Sequence, residues 1–137
     1  MNFELSEDQV LLQESVRRFV ENNYAFDQRR KLVATDQGFS DANWSQFAEL
    51  GWLGMPFSEA AGGYGGTPVE TMIMLEEFGK GLVAEPYVST VVLGGGALTF
   101  GGSAAQQQEL IPAVAEGKCK LALAFAERQS RYNLADV

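Results

Sequence analysis

The sequence predicts an all-α domain, an up-and-down helical bundle that is followed by one C-terminal strand. Three observations lead to this class. Apolar residues recur at helical spacing behind Ser and Thr capping residues along most of the chain. A chain of 137 residues, 46% of them hydrophobic, has enough apolar surface for one core. Near the C-terminus, residues 119–126 instead alternate between the two faces of an extended chain, which is typical of a strand.

Two capping residues mark the first helices. Ser6 and Gln9 form a capping box, and the helix that follows is amphipathic up to about Tyr24. Its apolar positions are Leu5, Leu12, Val16, Phe19 and Val20. After a polar connector, Ser40 caps a second helix, which Gly51 ends in a left-handed conformation. Each helix therefore offers one apolar face to a core.

The next stretch of chain favours loops. Residues 51–56 (GWLGMP) are apolar but punctuated by glycine and proline, which predicts an extended crossing of the core. The glycine-rich residues 62–66 (GGYGG) favour a conformational turn. A phosphate cradle is the alternative, but the pattern completes neither a P-loop nor a dinucleotide-binding fingerprint. Thr67, Pro68 and Glu70 then give the strongest helix start in the chain.

The following helical segments are strongly apolar. The helix that begins at Pro68 is apolar nearly all round to about Phe78, so we expect it at the centre of the bundle. Residues 89–100 form another helical segment with glycines at 94–96, each of which costs up to about 1 kcal/mol in a helix interior. Two explanations stay open for these glycines, close packing or a ligand channel. A last helix starts at a capping box of Ser103 and Gln106, and Pro112 kinks or ends it.

The predicted strand lacks a partner strand elsewhere in the sequence. Its larger residues are Cys119, Leu121, Leu123 and Phe125, and three of the four residues between and after them are alanines, so a helix is the minor alternative. A lone buried strand leaves backbone N–H and C=O groups unpaired. We therefore expect its sheet partners to come from a further stretch of chain or from another subunit. The predicted division is a helical domain at residues 1–117, and at 118–137 the strand with the start of a linker.

Charge and composition exclude several function classes. Ten basic and eighteen acidic residues give a net charge of -8, which disfavours a nucleic-acid partner. No apolar run approaches the ~18 residues of a membrane span, and residues 1–7 lack a signal-peptide pattern, so we expect a cytoplasmic protein. Cys119 is the only cysteine and histidine is missing, which excludes internal disulfides, Cys/His zinc sites and Ser-His-Asp triads. We expect no metal site.

The capped first helix and four later motifs, in this order along the chain, resemble the N-terminal domain of flavin-dependent acyl-CoA dehydrogenases. The four motifs are residues 49–56 (ELGWLGMP), 62–66 (GGYGG), 75–79 (LEEFG) and 123–127 (LAFAE). The resemblance implies a parent protein with this helical domain, a middle β-domain whose first strand starts here, and a C-terminal helical bundle. It also implies FAD as cofactor, α,β-dehydrogenation of an acyl-CoA thioester as in fatty-acid β-oxidation, and a catalytic base beyond residue 137. No catalytic residue is expected in this chain.

The resemblance also implies partners and site residues. Electron-transfer flavoprotein is the expected electron acceptor, and the assembly is expected to be a homo- or hetero-oligomer, with this chain possible as the small subunit of a heteromeric enzyme. The implied cofactor-binding residues are Leu123, Phe125, Ala126, Arg131 and Tyr132. The implied substrate-binding residues, at the far end of the acyl pocket, are Tyr87, Val88, Val91, Val92 and Gly95. Glycines 94–96 could then leave room for a bulky or long acyl group.

One departure from the family pattern concerns the end of the chain. The family commonly continues the strand as Glu-Pro-x-Ala-Gly-Ser-Asp, whereas here Tyr132 and Asn133 occupy the Ser and Asp positions. Tyrosine thus replaces the serine that usually supplies a hydroxyl contact, and Arg128 or Arg131 is either a phosphate ligand or a solvated side chain. Two further hypotheses stay open. The chain could belong to an acyl-CoA oxidase, or it could be a non-enzymatic helical interaction module derived from the family.

Overall fold

Helices make up all the regular structure of the residues that the computed structural model describes, which are 4–126, 128–130, 133 and 135–136. The α-helices are α1 (Glu7–Asn23), α2 (Phe26–Val33), α3 (Asp41–Glu49), α4 (Pro68–Gly81), α5 (Gly95–Gly101) and α6 (Ala104–Ala115). A 3-10 turn (Glu59–Ala61) precedes α4, and a π-helix (Val88–Gly94) runs directly into α5. The all-α prediction is confirmed.

Side-chain caps start the helices where the sequence predicts. The Ser6 hydroxyl accepts a hydrogen bond from the Gln9 backbone N–H at 3.2 Å, and the Gln9 side chain accepts one from the Ser6 N–H at 3.0 Å. Thr67 with Glu70, and Ser103 with Gln106, form the other two capping boxes. These local interactions satisfy N–H groups that have no partner within the helix. The predicted starts of α1, α4 and α6 are therefore confirmed.

An aromatic cluster forms the centre of the core. Phe47 of α3 stacks on Phe78 of α4 with ring centroids 5.0 Å apart, and Trp52 lies 5.2 Å from Phe47. Tyr87, just before the π-helix, meets Phe78 edge-on at 5.3 Å. Buried rings of this size supply most of the apolar area that a small core removes from water. The cluster thus joins α3 and α4 to the start of the π-helix.

Helix α4 packs closely against α1 but is not covered on all faces. A Cβ on Gly81 would lie 2.3 Å from Cγ1 of Val20, so only glycine permits this approach of the two helices. Ile73, Met74, Glu77 and Phe78 of α4 are buried. Met72 remains exposed, although the apolar pattern predicts burial on several sides. The prediction of a central helix therefore holds for one face of α4.

Two sequence predictions in the loops are wrong. Residues 51–56 are not extended, because Gly51 has a φ of 77° and Gly54 and Phe57 close successive turns, each donating its N–H to a carbonyl three residues earlier at 3.2 Å. The polar connector before Ser40 contains α2. That helix has no buried residue and no side-chain cap, so the hydrophobic pattern carried no sign of it.

The predicted C-terminal strand does not form among the described residues. Residues 119–126 are neither helical nor paired in a sheet. A strand requires a neighbour to satisfy its backbone, and none of the described residues forms a strand that could pair with this segment. The segment is attached instead through Leu121, whose N–H donates to the Thr90 hydroxyl at 3.2 Å and whose carbonyl accepts from it at 3.3 Å. Whether residues 118–137 belong to a second domain stays a prediction.

Candidate functional site

An apolar groove of about 540 Å³ lies between the end of α4 and the start of the π-helix. We name it the first groove. Its lining residues are Leu75, Phe78, Gly79, Leu82, Val83, Glu85, Pro86, Tyr87, Val88, Ser89 and Leu93. Leu82, Val88 and Leu93 are among the exposed large apolar side chains of the chain. Exposed apolar side chains gathered around one concavity indicate a binding surface.

Leu82 at the rim of the first groove has a strained backbone. It caps the C-terminus of α4 with a φ of 51°, and among the described residues it is the one non-glycine residue with a positive φ. For a residue with a Cβ this conformation costs about 1–2 kcal/mol. The Leu82 carbonyl accepts a hydrogen bond from Nε of Arg29 at 2.8 Å, which holds it in place, while its side chain is 58% exposed. The conformation lets the Val83 N–H donate to the Phe78 carbonyl at 3.0 Å, which ends α4 at the rim of the first groove.

The π-helix forms the opposite side of the first groove. π-Helical segments are rare in proteins, and those that occur are often found at functional sites. Thr90 and Val91 of this segment are buried, whereas Val88 and Leu93 are exposed. Gly94 lets the π-helix pack closely against Leu121, because a Cβ on Gly94 would lie 2.5 Å from Cβ of Leu121.

A buried polar network lies behind the first groove. The Tyr24 hydroxyl donates a hydrogen bond to the Glu85 carboxylate, which is 6% exposed, and accepts one from Nδ2 of Asn43 at 2.9 Å. The other Glu85 oxygen accepts the Ser40 backbone N–H at 3.2 Å. Burial, followed by the hydrogen bond to Glu85, raises the pKa of Tyr24 above its usual range. Glu85 comes two residues before Tyr87. The network therefore attaches the segment that leads into the π-helix to the end of α1 and the start of α3.

A second groove, of about 360 Å³, lies on another side of the same helix. We name it the second groove. Its lining residues are Pro56, Phe57, Gly66, Thr67, Pro68, Thr71, Val91, Val92, Gly96, Thr99 and Phe100. In the described part of the chain, nothing outside its own helix lies within 4 Å of the position that a Cβ on Gly96 would take. In contrast, a Cβ on Gly95 would lie 2.4 Å from Cζ of Phe57. Of the two explanations for glycines 94–96, close packing applies to Gly94 and Gly95, and open space to Gly96.

The structure separates the predicted substrate-binding residues. Tyr87 and Val88 line the first groove, whereas Val91 and Val92 line the second. Gly95 is buried and faces Phe57. The Tyr87 hydroxyl donates to the Trp52 carbonyl at 3.2 Å, and burial raises the pKa of this phenol. The substrate-binding role of the five residues stays a prediction.

The predicted cofactor-binding residues lie in the C-terminal segment. Leu123 contributes to a shallow cleft beside α5, and Phe125 and Ala126 are exposed. Arg131 and Tyr132 lie outside the described residues. The cofactor role of all five therefore stays a prediction.

Sequence reasoning missed Leu82 and Gly79 of the first groove. Gly79 and Gly81 flank Lys80 at the end of α4, and glycines at such positions are typical of a helix terminus. The left-handed conformation falls on Leu82, where the sequence gives no signal, because leucine is not a residue that favours it. An unexplained glycine within the α4 pattern was the one available hint.

The buried carboxylate of Glu77 lies outside both grooves. It pairs with Arg17 of α1 at 3.0 Å and with Lys80 at 2.8 Å. Burial raises the pKa of Glu77, but the hydrogen bonds from Arg17 and Lys80 outweigh it, so the pKa lies below its usual range. The carboxylate is thus charged and satisfied, and it serves to join α1 to α4. The described part of the chain contains neither a cluster of three potential metal ligands nor a helix suited to spanning a bilayer.

Comparison with known proteins gives consistent matches. The family model described as acyl-CoA dehydrogenase, N-terminal domain, matches residues 6–118. The "Probable acyl-CoA dehydrogenase YngJ" of Bacillus subtilis is 32% identical over 119 residues, which cover 85% of this chain and 31% of that protein. A chain of the ChsE4-ChsE5 complex from Mycobacterium tuberculosis superposes with a TM-score of 0.85 at 28% identity, covering 96% of this chain and 36% of that one.

A second solved structure gives a similar result. A chain of the "Tcur3481-Tcur3483 steroid ACAD G363A variant" superposes with a TM-score of 0.81 at 28% identity, covering 89% of this chain and 33% of that chain. This chain therefore spans about a third of the length of the proteins that it matches.

Proposed function

Because the chain belongs to the acyl-CoA dehydrogenase N-terminal domain family, we propose that it forms the N-terminal part of a flavin-dependent acyl-CoA dehydrogenase. The complete enzyme would remove two hydrogens from the α and β carbons of an acyl-CoA thioester, the α hydrogen as a proton and the β hydrogen as a hydride. The base that takes the proton lies, by the family resemblance, beyond residue 137. The contribution of this chain is then to bind and orient the substrate.

The first groove is the observation that supports this proposal. It is apolar, and its exposed rim residues Leu82, Val88 and Leu93 would be covered by an acyl chain and by the remainder of the enzyme. Each methylene group removed from water contributes about 0.8 kcal/mol. Tyr87 and Val88 would form part of the wall, and the Glu85 network would hold that wall in place.

We keep a proposed role in the acyl site for the other three predicted substrate residues, which lie in the π-helix and at the start of α5. Val91 and Gly95 are buried, so their packing fixes the helix that separates the grooves. Val92 is partly exposed to the second groove. An acyl group in the second groove is the competing arrangement, and the variants described below distinguish the two.

The C-terminal segment fits one edge of a flavin site. Residues 122–126 are exposed, and they form no hydrogen bond with any other described segment, so their backbone groups are available to a planar ring. Leu123, Phe125 and Ala126 would lie along that edge, and the small side chain of Ala126 would let a ring approach closely. When bound, FAD would supply the acceptor for the hydride. Arg131 and Tyr132 remain proposed contacts outside the described residues.

Additional protein must complete such an enzyme. The relatives are about three times as long as this chain, and two of the solved structures are named for pairs of components. We propose that a longer form of the chain or a partner subunit supplies the β-domain and the C-terminal bundle. Electron-transfer flavoprotein is the proposed electron acceptor. An interaction module without activity is the alternative, and it predicts partners without bound flavin.

Purification of the chain with its partners from the native source tests the proposed function. The complex is mixed anaerobically with a panel of acyl-CoA thioesters while flavin absorbance is recorded. We expect substrate to bleach the flavin and the enoyl-CoA product to form. An acyl-CoA whose β carbon bears no hydrogen is the control, because it can bind but cannot lose hydride. A complex without flavin, or flavin that no thioester reduces, would contradict the proposal.

A further inference from the structure

Gly79 is a helix glycine that the packing of the chain does not require. Glycine within a helix is less favourable than alanine by about 0.5–1 kcal/mol, so its presence usually has a steric reason. Gly81 has one, the contact with Val20. At Gly79, no described residue outside the helix lies within 4 Å of the position that a Cβ would take. The space beside Gly79 is therefore not needed by any described part of the chain.

This free space belongs to the first groove. Gly79 lines the groove from the α4 side, and Ser89 and Leu93 line it from the π-helix. Leu82, three residues after Gly79, is the residue held in a strained conformation at the same rim. Two costs to stability, an unnecessary glycine and a strained leucine, thus occur in one short segment of the same concavity. The cap that ends α4 accounts for Leu82, because its conformation lets the Val83 N–H donate to the Phe78 carbonyl at 3.0 Å. The glycine is left without such a cause, and it is explained if the segment is shaped for a ligand rather than for the stability of the domain.

We propose that Gly79 is a specificity-determining residue that widens the first groove for bulky acyl groups, branched or cyclic, in addition to straight chains. The inference rests on the proposed function. A volume of about 540 Å³ is within the range of sites that enclose whole small molecules, about 300–1,000 Å³. A leucine at position 79 would extend from this open position into the volume of the groove. It would narrow the groove and exclude wide acyl groups first.

Two leucine substitutions in the complete enzyme test the proposal. Gly79→Leu fills the first groove, and Gly96→Leu is the matched control, since Gly96 is equally open but faces the second groove. The substrates are butyryl-CoA and 3-cyclohexylpropionyl-CoA, both of which carry hydrogens at the α and β carbons. We expect Gly79→Leu to lower kcat/KM for the cyclic substrate by at least about tenfold and to change that for butyryl-CoA by less than about twofold. Gly96→Leu should leave the ratio of the two values unchanged.

Binding and stability measurements separate specificity from loss of fold. The melting temperature of each variant is recorded with and without the cyclic thioester, because a ligand that binds the native state raises it. Gly79→Leu should melt at or above the wild-type temperature, since leucine favours the helix, and should lose the shift caused by the cyclic thioester. Gly79→Ala should show a smaller effect in the same direction, and it replaces the leucine variant if that variant does not fold.

Three outcomes would overturn the proposal. An unchanged substrate ratio in folded Gly79 variants would show that the space beside Gly79 does not set specificity. A change in Gly96→Leu but not in Gly79→Leu would place the acyl group in the second groove. A wild-type complex that oxidises no thioester would refute the proposed function itself, and with it this inference. The first two outcomes leave the proposed function intact.

Discussion

Removing the hydroxyl group of Tyr24 should strongly destabilise the domain. In Tyr24→Phe the Glu85 carboxylate loses a buried donor, and Nδ2 of Asn43 loses its acceptor at 2.9 Å. Glu85 retains the Ser40 backbone N–H at 3.2 Å, so it is not left entirely without partners. The ring itself still fits the core, because the substitution removes one oxygen atom and creates no large cavity.

The magnitude follows from these lost hydrogen bonds. A hydrogen bond to a charged group contributes about 1.5–3 kcal/mol, and an unsatisfied buried amide adds to the cost. We expect the free energy of unfolding to fall by about 2–3 kcal/mol. With a urea m-value of about 2 kcal/mol/M, the midpoint of unfolding should fall by about 1–1.5 M.

Urea titration of the 137-residue chain, followed by tryptophan fluorescence, measures this change. Trp44 and Trp52 are both buried, so their emission reports unfolding of the core. Tyr64→Phe is the matched control, because Tyr64 is 62% exposed and its variant should stay within about 0.5 kcal/mol of the wild type. Equal midpoints for Tyr24→Phe and Tyr64→Phe would refute the reasoning, since the buried network would then contribute nothing to stability.

Two further predictions concern the capping box of α4 and the glycines of the π-helix and α5. Hydrogen bonds from Thr67 and Gln9 outweigh burial and lower the pKa of Glu70 from 4.5 to about 2. The charged form of Glu70 therefore stabilises the fold above pH 4.5, and this contribution is lost as the pH falls through about 2. Glu70→Gln should therefore lower the urea midpoint at pH 7 but not near pH 2, and a pH-independent effect would contradict this. Gly95→Ala should destabilise the chain by about 1–3 kcal/mol, because the added Cβ meets Phe57. Gly96→Ala should stabilise the chain by up to about 1 kcal/mol, because alanine favours the helix and its Cβ meets nothing among the described residues. Thermal unfolding measures both changes, and a higher melting temperature for Gly95→Ala than for Gly96→Ala would contradict close packing at Gly95 and open space at Gly96.

Helix starts could be predicted from the sequence because their causes are local. Ser6, Thr67 and Ser103 each bond within three residues, so the relevant interaction is contained in a short stretch of sequence. Helix α2 could not be found in this way, because Phe26 is 73% exposed and Ala25 provides no side-chain cap. Its position depends on neighbours distant in the chain, such as the Leu82 carbonyl that binds Arg29.

The candidate site could be predicted only in part, since its shape depends on tertiary structure. The family resemblance indicated a substrate-binding helix around residues 87–95, but the direction that each residue faces depends on the π-helical turns. A sequence pattern at the α-helical period assigns Val88, Val91 and Val92 to one surface, whereas the structure divides them between two grooves. The left-handed Leu82 likewise follows from the meeting of α4 with the loop after it, and not from its residue type.

The hydrogen bonds between Leu121 and Thr90 determine which edge of the following segment faces the helical domain. In an extended chain, successive residues direct their N–H and C=O groups to alternate edges. The Leu121 groups are both taken by Thr90, so that edge faces the helical domain. If the chain continues in this conformation, Ala122 and Ala124 present their backbone groups to the outer edge. A neighbouring strand would then pair with the alanines first, and a change of one residue in its alignment would turn its own side chains to the opposite face of the sheet.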